Sequence, residues 1–271
     1  MRDFQNKLVH FLGLEQHRTV YVIGAGGKTS FINMCAARLT AAGKSVLCTT
    51  STRIMLPNCI EKANVLIESD IRALCVRIQA RHKRPLHLTL GKKTVDKNQK
   101  IKGFSPAELD FLSGENLADV LLIEADGAAG RPLKVHGSHE PVLSEDAPII
   151  CWLIGVDSVG LPFTADHVHR FSLAREWLQK EEGTPLLERD VVDLFFHQQS
   201  ALHRLPKRAE LVVLINKVHT GRNRKSAVKL ASLLQSRDQR NRIDRIAHSC
   251  LKDANILTDP MFDIVFTNNR K

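Results

Sequence analysis

A short glycine-rich segment, set between an apolar run and an amphipathic run, constrains this chain more than any other feature. Residues 19 to 23 are β-branched and aromatic, which is typical of a buried strand, and residues 28 to 42 have the pattern of a helix that Gly43 ends. The connection between them reads Gly24-Ala25-Gly26-Gly27-Lys28-Thr29. A strand, a glycine turn and a helix in this order predict a βαβ unit with an anion site at the helix N-terminus.

The alternation of apolar runs and helical patterns continues along the chain. Further strands are predicted at 45–49, 64–67, 85–90, 120–124, 148–154 and 211–215, with a weaker one at 243–247. Helices are predicted at 2–13 and 71–80 and from Ser105 onward, and residues 91–103 are predicted to be a polar turn region. Such alternation indicates an α/β fold of three layers, P-loop NTPase-like, with a mostly parallel sheet and helices on both faces.

The stretch from about 157 to 206 carries little strand signal. Its segments 172–180 and 188–197 have helical patterns, so we predict a helical insertion there. No internal repeat and no linker rich in Gly, Ser or Pro interrupts the sequence. We therefore expect residues 1–271 to form one P-loop NTPase-like domain.

The net charge of +10 favours an anionic partner, which includes a nucleotide, a nucleic acid or an acidic protein. The basic residues are densest between Lys217 and Arg245, where no aromatic residues interleave with them to stack on bases. We interpret this segment as a solvated helix face and do not expect nucleic-acid binding.

The six cysteines form no Cys-x-x-Cys pair, and several lie in apolar runs. No signal peptide precedes them, so we expect a reduced, cytoplasmic environment. The longest apolar run is shorter than the roughly 18 residues that a membrane span requires, so no membrane partner is expected.

The glycine-rich segment itself predicts a site for ATP or GTP with Mg²⁺. Its backbone N–H groups, from Gly24, Ala25, Gly26, Gly27, Lys28, Thr29 and Ser30, are expected to bind phosphates. The Lys28 side chain is expected to reach the β- and γ-phosphates, and the Thr29 hydroxyl to ligate Mg²⁺. Only two residues separate the first glycine from Gly-Lys-Thr, whereas the usual phosphate loop has four. The shorter form resembles the loop of the Mur ligase and folylpolyglutamate synthetase group.

Two carboxylates mark the end of another predicted strand. Glu124 ends the apolar run 120–124, and Asp126 lies two residues further on. A strand-end acid opposite a phosphate loop commonly holds Mg²⁺ or its water, so we predict Glu124 as a metal ligand and both carboxylates as catalytic. The alternative is that both only cap a turn. Arg131 and Lys134, in the loop that follows, are candidates to close over phosphates or over a second anionic substrate.

Asn216 and Lys217 follow the strand predicted at 211–215 and resemble the base-reading Asn-Lys-x-Asp motif of GTPases. His219 stands in place of the Asp, and a neutral imidazole cannot make the paired contact with guanine. We therefore predict that Asn216 and Lys217 contact a base, with a plain polar strand end as the alternative.

Four further residues are candidates for binding a substrate. Thr50 and Thr52 follow the second strand, where their hydroxyls either bind an anion or metal or belong to an ordinary turn. His169 and Arg170 form a compact polar pair that suits a substrate or a phosphate. The pairs His136-x-x-His139 and His167-x-His169 lack the spacing of a zinc-protease motif, so a transition-metal site is not favoured.

Taken in order, these motifs are similar to those of the YqeC family, over roughly residues 18 to 219. The resemblance is carried by residues 22–30, 49–54, 57, 123–134, 139–141, 155–160, 169–170 and 216–217. Glu-Ala-Asp-Gly-Ala-x-Gly-Arg, beginning at Glu124, is its most specific stretch. Ser51 stands where another Thr is expected, and His219 where an Asp often stands. The family comprises accessory proteins of selenium-dependent molybdenum hydroxylases, also described as selenium cofactor biosynthesis proteins. The resemblance therefore implies that such a hydroxylase, or its cofactor, is a partner.

The leading hypothesis is an Mg²⁺–nucleotide-binding accessory protein in the maturation of selenium-dependent molybdenum hydroxylases. Lys28 would bind phosphates, Asp126 would orient a water or second substrate, and Arg131 or Arg170 would stabilise transferred charge. Two alternatives remain open: an ATP-dependent ligase that activates a small acid, and a binding chaperone that is switched by nucleotide. The sequence separates neither ATP from GTP nor hydrolysis from group transfer.

Overall fold

The computed structural model describes residues 2–55, 64–82, 84–95, 100–219, 221–250 and 261–268. Its strands are β1 (Thr19–Gly24), β2 (Val46–Thr50), β3 (Arg53–Met55), β4 (Val65–Ile67), β5 (His87–Gly91), β6 (Lys93–Thr94), β7 (Lys100–Lys102), β8 (Val120–Glu124), β9 (Leu133–Lys134), β10 (Ile149–Gly155), β11 (Val168–His169), β12 (Glu210–Asn216), β13 (Arg245–Cys250) and β14 (Met261–Thr267). Its α-helices are α1 (Arg2–Phe11), α2 (Lys28–Ala41), α3 (Ile71–Gln79), α4 (Pro106–Gly114), α5 (Phe171–Leu178), α6 (Glu188–Phe196) and α7 (Arg222–Arg237).

Within the described residues, nine strands form one sheet in the order β14-β13-β12-β10-β1-β8-β2-β5-β4. Neighbouring strands in it are parallel, except for β14, which runs antiparallel to β13 at one edge. The strand that leads into the glycine-rich segment, β1, lies between β8 and β10. The carboxyl ends of β1, β8, β10 and β12 consequently meet at one edge of the sheet.

Both faces of the sheet are covered, which explains why its strands read as continuous apolar runs. Val20 and Val22 of β1 belong to the core beneath α1 and α2, whereas Tyr21 and Ile23 belong to the core beneath α3 to α7. Each of these four side chains is at most 1% exposed. The predicted architecture of three layers, with a mostly parallel sheet between helices, is therefore confirmed.

The helix predicted from Ser105 begins as its sequence indicates. The Ser105 side chain accepts a hydrogen bond from the Glu108 backbone, and the Glu108 side chain accepts one from the Ser105 backbone. Pro106 occupies the first turn, where a missing N–H costs nothing.

Local structure differs from the prediction in three places. Part of the predicted polar turn region forms β6 and β7, which make a small antiparallel sheet with β3. Residues 157–206 contain the helices α5 and α6, close to the two predicted helical segments, and also the two-residue strand β11, which pairs with β9. The edge strand β14 was not predicted. Strands of two or three residues are stabilised by their partners across the sheet, so their own sequence carries little signal.

Most of the dense basic segment lies on α7. Lys229 and Arg237 pair with Glu188 and Asp193 of α6 at 3.1 and 2.6 Å. The outer face of α7 is thus basic, and the carboxylates of α6 partly neutralise its positive charge. None of the helices among the described residues has the length and apolar character needed to cross a membrane.

Candidate functional site

The glycine-rich segment forms a tight loop, here called the glycine loop (residues 24–29), between β1 and α2. Gly24, Gly26 and Gly27 have φ values of 94°, 95° and 109°, which side chains of L-residues rarely tolerate. A Cβ on Gly24 would lie 2.3 Å from the Leu153 carbonyl oxygen, and one on Gly26 would lie 2.3 Å from the Gly155 amide nitrogen. The loop is therefore pressed against the end of β10, and only glycine fits.

The loop presents the N-terminus of α2. Gly27 is the N-cap residue, and no side chain caps the helix there. The amides of the first helical turn, which have no partner within the helix, are consequently available to an anion, with the helix dipole in support. Ala25 is buried and Ser30 is exposed, so the residues predicted to bind phosphates occupy both the base and the rim of this turn.

Lys28 directs its ammonium group back into the loop. Its Nζ donates to the Gly24 carbonyl oxygen at 2.6 Å and lies 3.0 Å from Asp126 Oδ1 and 3.8 Å from Glu124 Oε1. The Lys28 side chain is only 4% exposed. A buried ammonium requires such partners, because an unpaired buried charge is strongly unfavourable.

Glu124 stands at the end of β8, between β1 and β2. The register places it beside Val22 on one side and Thr50 on the other. Thr29 Oγ1 donates to Glu124 Oε2 at 2.8 Å, so a hydroxyl and a carboxylate, both of them hard oxygen ligands, are adjacent. Burial raises the pKa of Glu124 above its ordinary value, although the Lys28 charge and the Thr29 hydrogen bond oppose this effect.

Asp126 is fully buried beneath the glycine loop and fastens it to the segment that follows β8. Its Oδ2 accepts a hydrogen bond from the Gly24 amide at 2.9 Å and lies 3.3 Å from Lys134 Nζ. Burial alone would raise the pKa of Asp126, but the charges of Lys28 and Lys134 and the hydrogen bond with His136 outweigh burial and hold this pKa below its ordinary value. Asp126 is therefore an anion that binds several cations and donors.

His136 completes this arrangement. Its Nε2 lies 2.6 Å from Asp126 Oδ2, and because an ionised carboxylate only accepts hydrogen bonds, the imidazole is the donor. Burial lowers the pKa of His136, against the hydrogen bond and charge of Asp126. Burial therefore favours the neutral form of the ring. Its other nitrogen, Nδ1, is an acceptor and makes no hydrogen bond to the described residues.

A third carboxylate, from Glu140, joins the network on the side of residues 157–206. Glu140 Oε2 lies 3.2 Å from Lys134 Nζ and accepts a hydrogen bond from Arg170 Nε at 2.9 Å. Burial alone would raise the pKa of Glu140, but Arg170 and Lys134 lower it to about 2. His169 pairs in register with Lys134, and burial, followed by the Lys134 charge, lowers the pKa of His169.

The other predicted site residues lie around this centre in less direct positions. Asn216 is buried and donates to the Gly26 carbonyl oxygen at 2.7 Å, so it supports the glycine loop, while Lys217 binds Asp157 at 2.7 Å. Thr50 is buried and donates to the Glu124 carbonyl oxygen at 2.6 Å, and its Oγ1 lies 3.2 Å from that of Thr52.

Arg131 Nε donates to the Ala165 carbonyl oxygen at 2.6 Å, which ties the loop after β8 to the insertion.

Sequence reasoning missed the roles of Lys134, His136 and Glu140. Lys134 was considered only as a loop cation, His136 only as part of a metal motif, and Glu140 within residues 139–141 of the family resemblance. Lys134 and His136 lie two residues apart in an extended segment, but only the folded chain brings both of them to Asp126. The fold also places Glu140 against Lys134. No group of three or more His, Cys, Asp or Glu residues in the described part of the chain is arranged to hold a metal ion.

The fold and this site define a class of protein. It is a three-layer α/β protein, consistent with a P-loop NTPase-like fold, whose glycine loop lies beside an acidic residue from the adjacent strand.

Comparison with known proteins gives the family. The model of the YqeC protein family matches residues 20–172, which include the glycine loop, Glu124, Asp126 and Arg170. The uncharacterized protein YqeC of Escherichia coli (strain K12) is 31% identical over 232 residues, which is 85% of this chain and 88% of that protein. The chain belongs to the YqeC family, as the sequence predicted.

Proposed function

We propose that this protein binds a nucleoside triphosphate with Mg²⁺ at the glycine loop. The observation that carries the proposal is the 2.8 Å contact between Thr29 Oγ1 and Glu124 Oε2 at the start of α2. It brings together a hydroxyl from the start of α2 and a carboxylate from the end of β8, beside the amides of the first turn of α2 and a lysine. These are the groups that a Mg²⁺–polyphosphate requires.

In this proposal, one set of groups binds the phosphates and another binds the metal ion. The amides of the first turn of α2 and the Lys28 ammonium bind the phosphates, and Thr29 and Glu124 ligate Mg²⁺. The metal ion neutralises charge on the phosphates and lowers the cost of attack on them. Asp126 holds the loop in place through the Gly24 amide and holds Lys28 in position from below.

The residues also fit the metal chemically. The Glu124 pKa is raised by burial, which means that the carboxylate lacks enough compensating charge in its present surroundings. A divalent cation would supply that charge. Oxygen ligands from a carboxylate and a hydroxyl suit Mg²⁺ better than a transition metal.

Binding is tested by calorimetric titration of ATP and GTP, each with Mg²⁺ and with a chelator. Lys28→Ala should weaken binding of the triphosphate at least tenfold, because it removes the buried cation. Glu124→Gln should instead reduce the gain in affinity that Mg²⁺ confers. Lys225→Ala, an exposed residue of α7, is the matched control and should bind as the wild type does. Unchanged affinity in the Lys28→Ala variant would refute the assignment.

For the cellular role, we propose participation in the maturation of selenium-dependent molybdenum hydroxylases. Family membership and the resemblance of the motifs support this role, and no residue of the site points to selenium by itself. The test is to delete the gene and measure the selenium content and activity of such a hydroxylase. Both should fall, and the wild-type gene should restore them whereas the Lys28→Ala gene should not. Normal selenium loading in the deletion strain would exclude the role.

A further inference from the structure

A cleft of about 550 Å³ opens beside the carboxylate network, between residues 136–139, α5 and the segment 198–204. Its lining includes two guanidinium groups, from Arg170 and Arg204, and three imidazoles, from His136, His139 and His203. No carboxylate is among the described residues that line it. A concave, positively charged surface of this size suits a small anionic molecule.

We propose that this cleft binds a small molecule bearing a carboxylate or phosphate group, as the second substrate of the nucleotide-dependent protein. The role as second substrate rests on the proposed function, whereas the binding of an anion does not.

Arg170 is the group that would recognise the anion. Its Nε binds Glu140 and its Nη2 lies 3.4 Å from His139 Nε2, while its Nη1 makes no hydrogen bond to the described residues. The side chain lies against Gly137, where an added Cβ would be 3.0 Å from Arg170 Cζ. The guanidinium is thus held in one orientation with donors to spare, as binding of an oxyanion requires.

The backbone at Arg170 supports a functional role. Its φ is 62°, in the left-handed region that non-glycine residues seldom adopt, and it directly precedes α5. Strained conformations of this kind concentrate at binding sites, where the surrounding structure enforces them. Here the conformation places the Arg170 side chain between Glu140 and the cleft.

Arg204 has a different task. Its guanidinium donates to the carbonyl oxygens of Gly137 and Glu140 at 2.9 and 3.0 Å, and to that of Gln199 at 2.7 Å. It therefore ties two walls of the cleft together, and it contributes positive charge without a free fork of donors. This arrangement makes the cleft a preformed site.

The cleft is connected to the glycine loop through two hydrogen bonds. His136 lines the cleft, its Nε2 donates to Asp126 at 2.6 Å, and Asp126 accepts from the Gly24 amide at 2.9 Å. A molecule in the cleft would thus contact His136, and the partner of His136, Asp126, fastens the glycine loop on which the phosphates would lie. Trp177, another lining residue, has a buried indole N–H without an acceptor among the described residues.

The experiment titrates the full chain with orthophosphate and, separately, with citrate, by calorimetry at constant ionic strength. Orthophosphate could also occupy the glycine loop, so each titration is repeated in the Lys28→Ala variant. Arg170→Asn removes the cation while keeping a residue that tolerates positive φ. Arg175→Asn is the matched control, because Arg175 lies on α5, the helix that Arg170 precedes, and its side chain is 60% exposed.

Arg170→Asn should weaken binding of at least one probe tenfold or more, which corresponds to about 1.4 kcal/mol. Arg175→Asn should leave that binding within twofold of the wild type, and Lys28→Ala, which removes the cation of the glycine loop, should not abolish it. The probe that binds identifies the preferred anion. Arg170→Lys, which keeps the charge but not the fork, provides a second variant and should bind with intermediate affinity. Thermal unfolding of each variant confirms that it is folded.

The inference is overturned if neither probe binds, or if binding is lost in Lys28→Ala but kept in Arg170→Asn. The same titrations are performed with Mg²⁺–ATP and Mg²⁺–GTP. Anion binding that depends on Arg170, in a protein that binds neither nucleotide, would support the anion site in the cleft and refute the proposed function. Nucleotide binding without anion binding would support the proposed function and refute the anion site.

Discussion

The close approach of the glycine loop to β10 predicts that a single methyl group at Gly26 is destructive. The added Cβ would lie 2.3 Å from the Gly155 amide nitrogen and 2.4 Å from Gly155 Cα, and both are backbone atoms. The end of a flexible side chain could rotate away from such a contact, but here the backbone of the glycine loop would have to move away from the end of β10. Gly26 also has a φ of 95°, which adds backbone strain for any L-residue.

Gly43 separates the two effects. Its φ is 86°, close to that of Gly26, but an added Cβ would meet nothing within 4 Å. Gly43→Ala therefore carries the backbone strain alone, which is about 1–2 kcal/mol. Gly26→Ala carries the same strain and the overpacking of a core, and the two together amount to about 2–5 kcal/mol.

The free energy of unfolding of both variants is measured by urea denaturation, and the affinity for Mg²⁺–ATP or Mg²⁺–GTP, whichever binds, by calorimetry. Gly26→Ala should lose clearly more stability than Gly43→Ala, and it should also lose nucleotide affinity because the loop is displaced. Gly43→Ala should keep its affinity, since it lies at the far end of α2. Equal loss of stability in the two variants would show that the loop is not wedged against β10.

Two further predictions concern the buried charges. Asp126→Asn should lower the free energy of unfolding by about 3–5 kcal/mol, because Lys28 and Lys134 lose their buried counter-charge. Urea denaturation near pH 7.5 measures this change, and a loss below about 1 kcal/mol would contradict the assigned network. Glu140 has a pKa lowered to about 2 from an ordinary 4.5, so the stability it contributes is present above pH 4.5 and is lost as the pH falls towards 2. The difference in stability between wild type and Glu140→Gln should accordingly be constant above about pH 5 and shrink below pH 4.5, and a difference that grows on acidification would refute this.

The parts of the site that were predictable from sequence are those encoded by contiguous residues. The glycine loop needs one strand, three glycines and one helix start, all within residues 19–42. Glu124 was placed because an apolar run ends at it, and parallel strands put their carboxyl ends at one edge of the sheet. These local signals were sufficient to predict Thr29, Lys28 and Glu124 as members of one site.

The remainder depends on the path of the chain after Gly127. That segment forms the two-residue strand β9, which pairs with β11, and it brings Lys134 and His136 to Asp126. Strands of two residues are too short to show a periodic pattern in the sequence. An ion pair between residues that a loop separates has no characteristic spacing in the sequence either. Asn216 shows the same limit: its position at a strand end was predicted, but its bond to the Gly26 carbonyl oxygen was not.

The charges of this network explain why a polyphosphate should need a metal ion to bind. Three carboxylates, from Glu124, Asp126 and Glu140, lie among three cations, from Lys28, Lys134 and Arg170. With all six ionised the cluster is neutral, so a triphosphate alone would take Lys28 from its carboxylate partners and leave these uncompensated. In the proposed function, a divalent cation held by Thr29 and Glu124 would restore the balance, because it would pair with the carboxylate that Lys28 leaves and with the phosphates. The same neutrality explains why Asp126 can be buried completely, since its charge is matched before any ligand arrives.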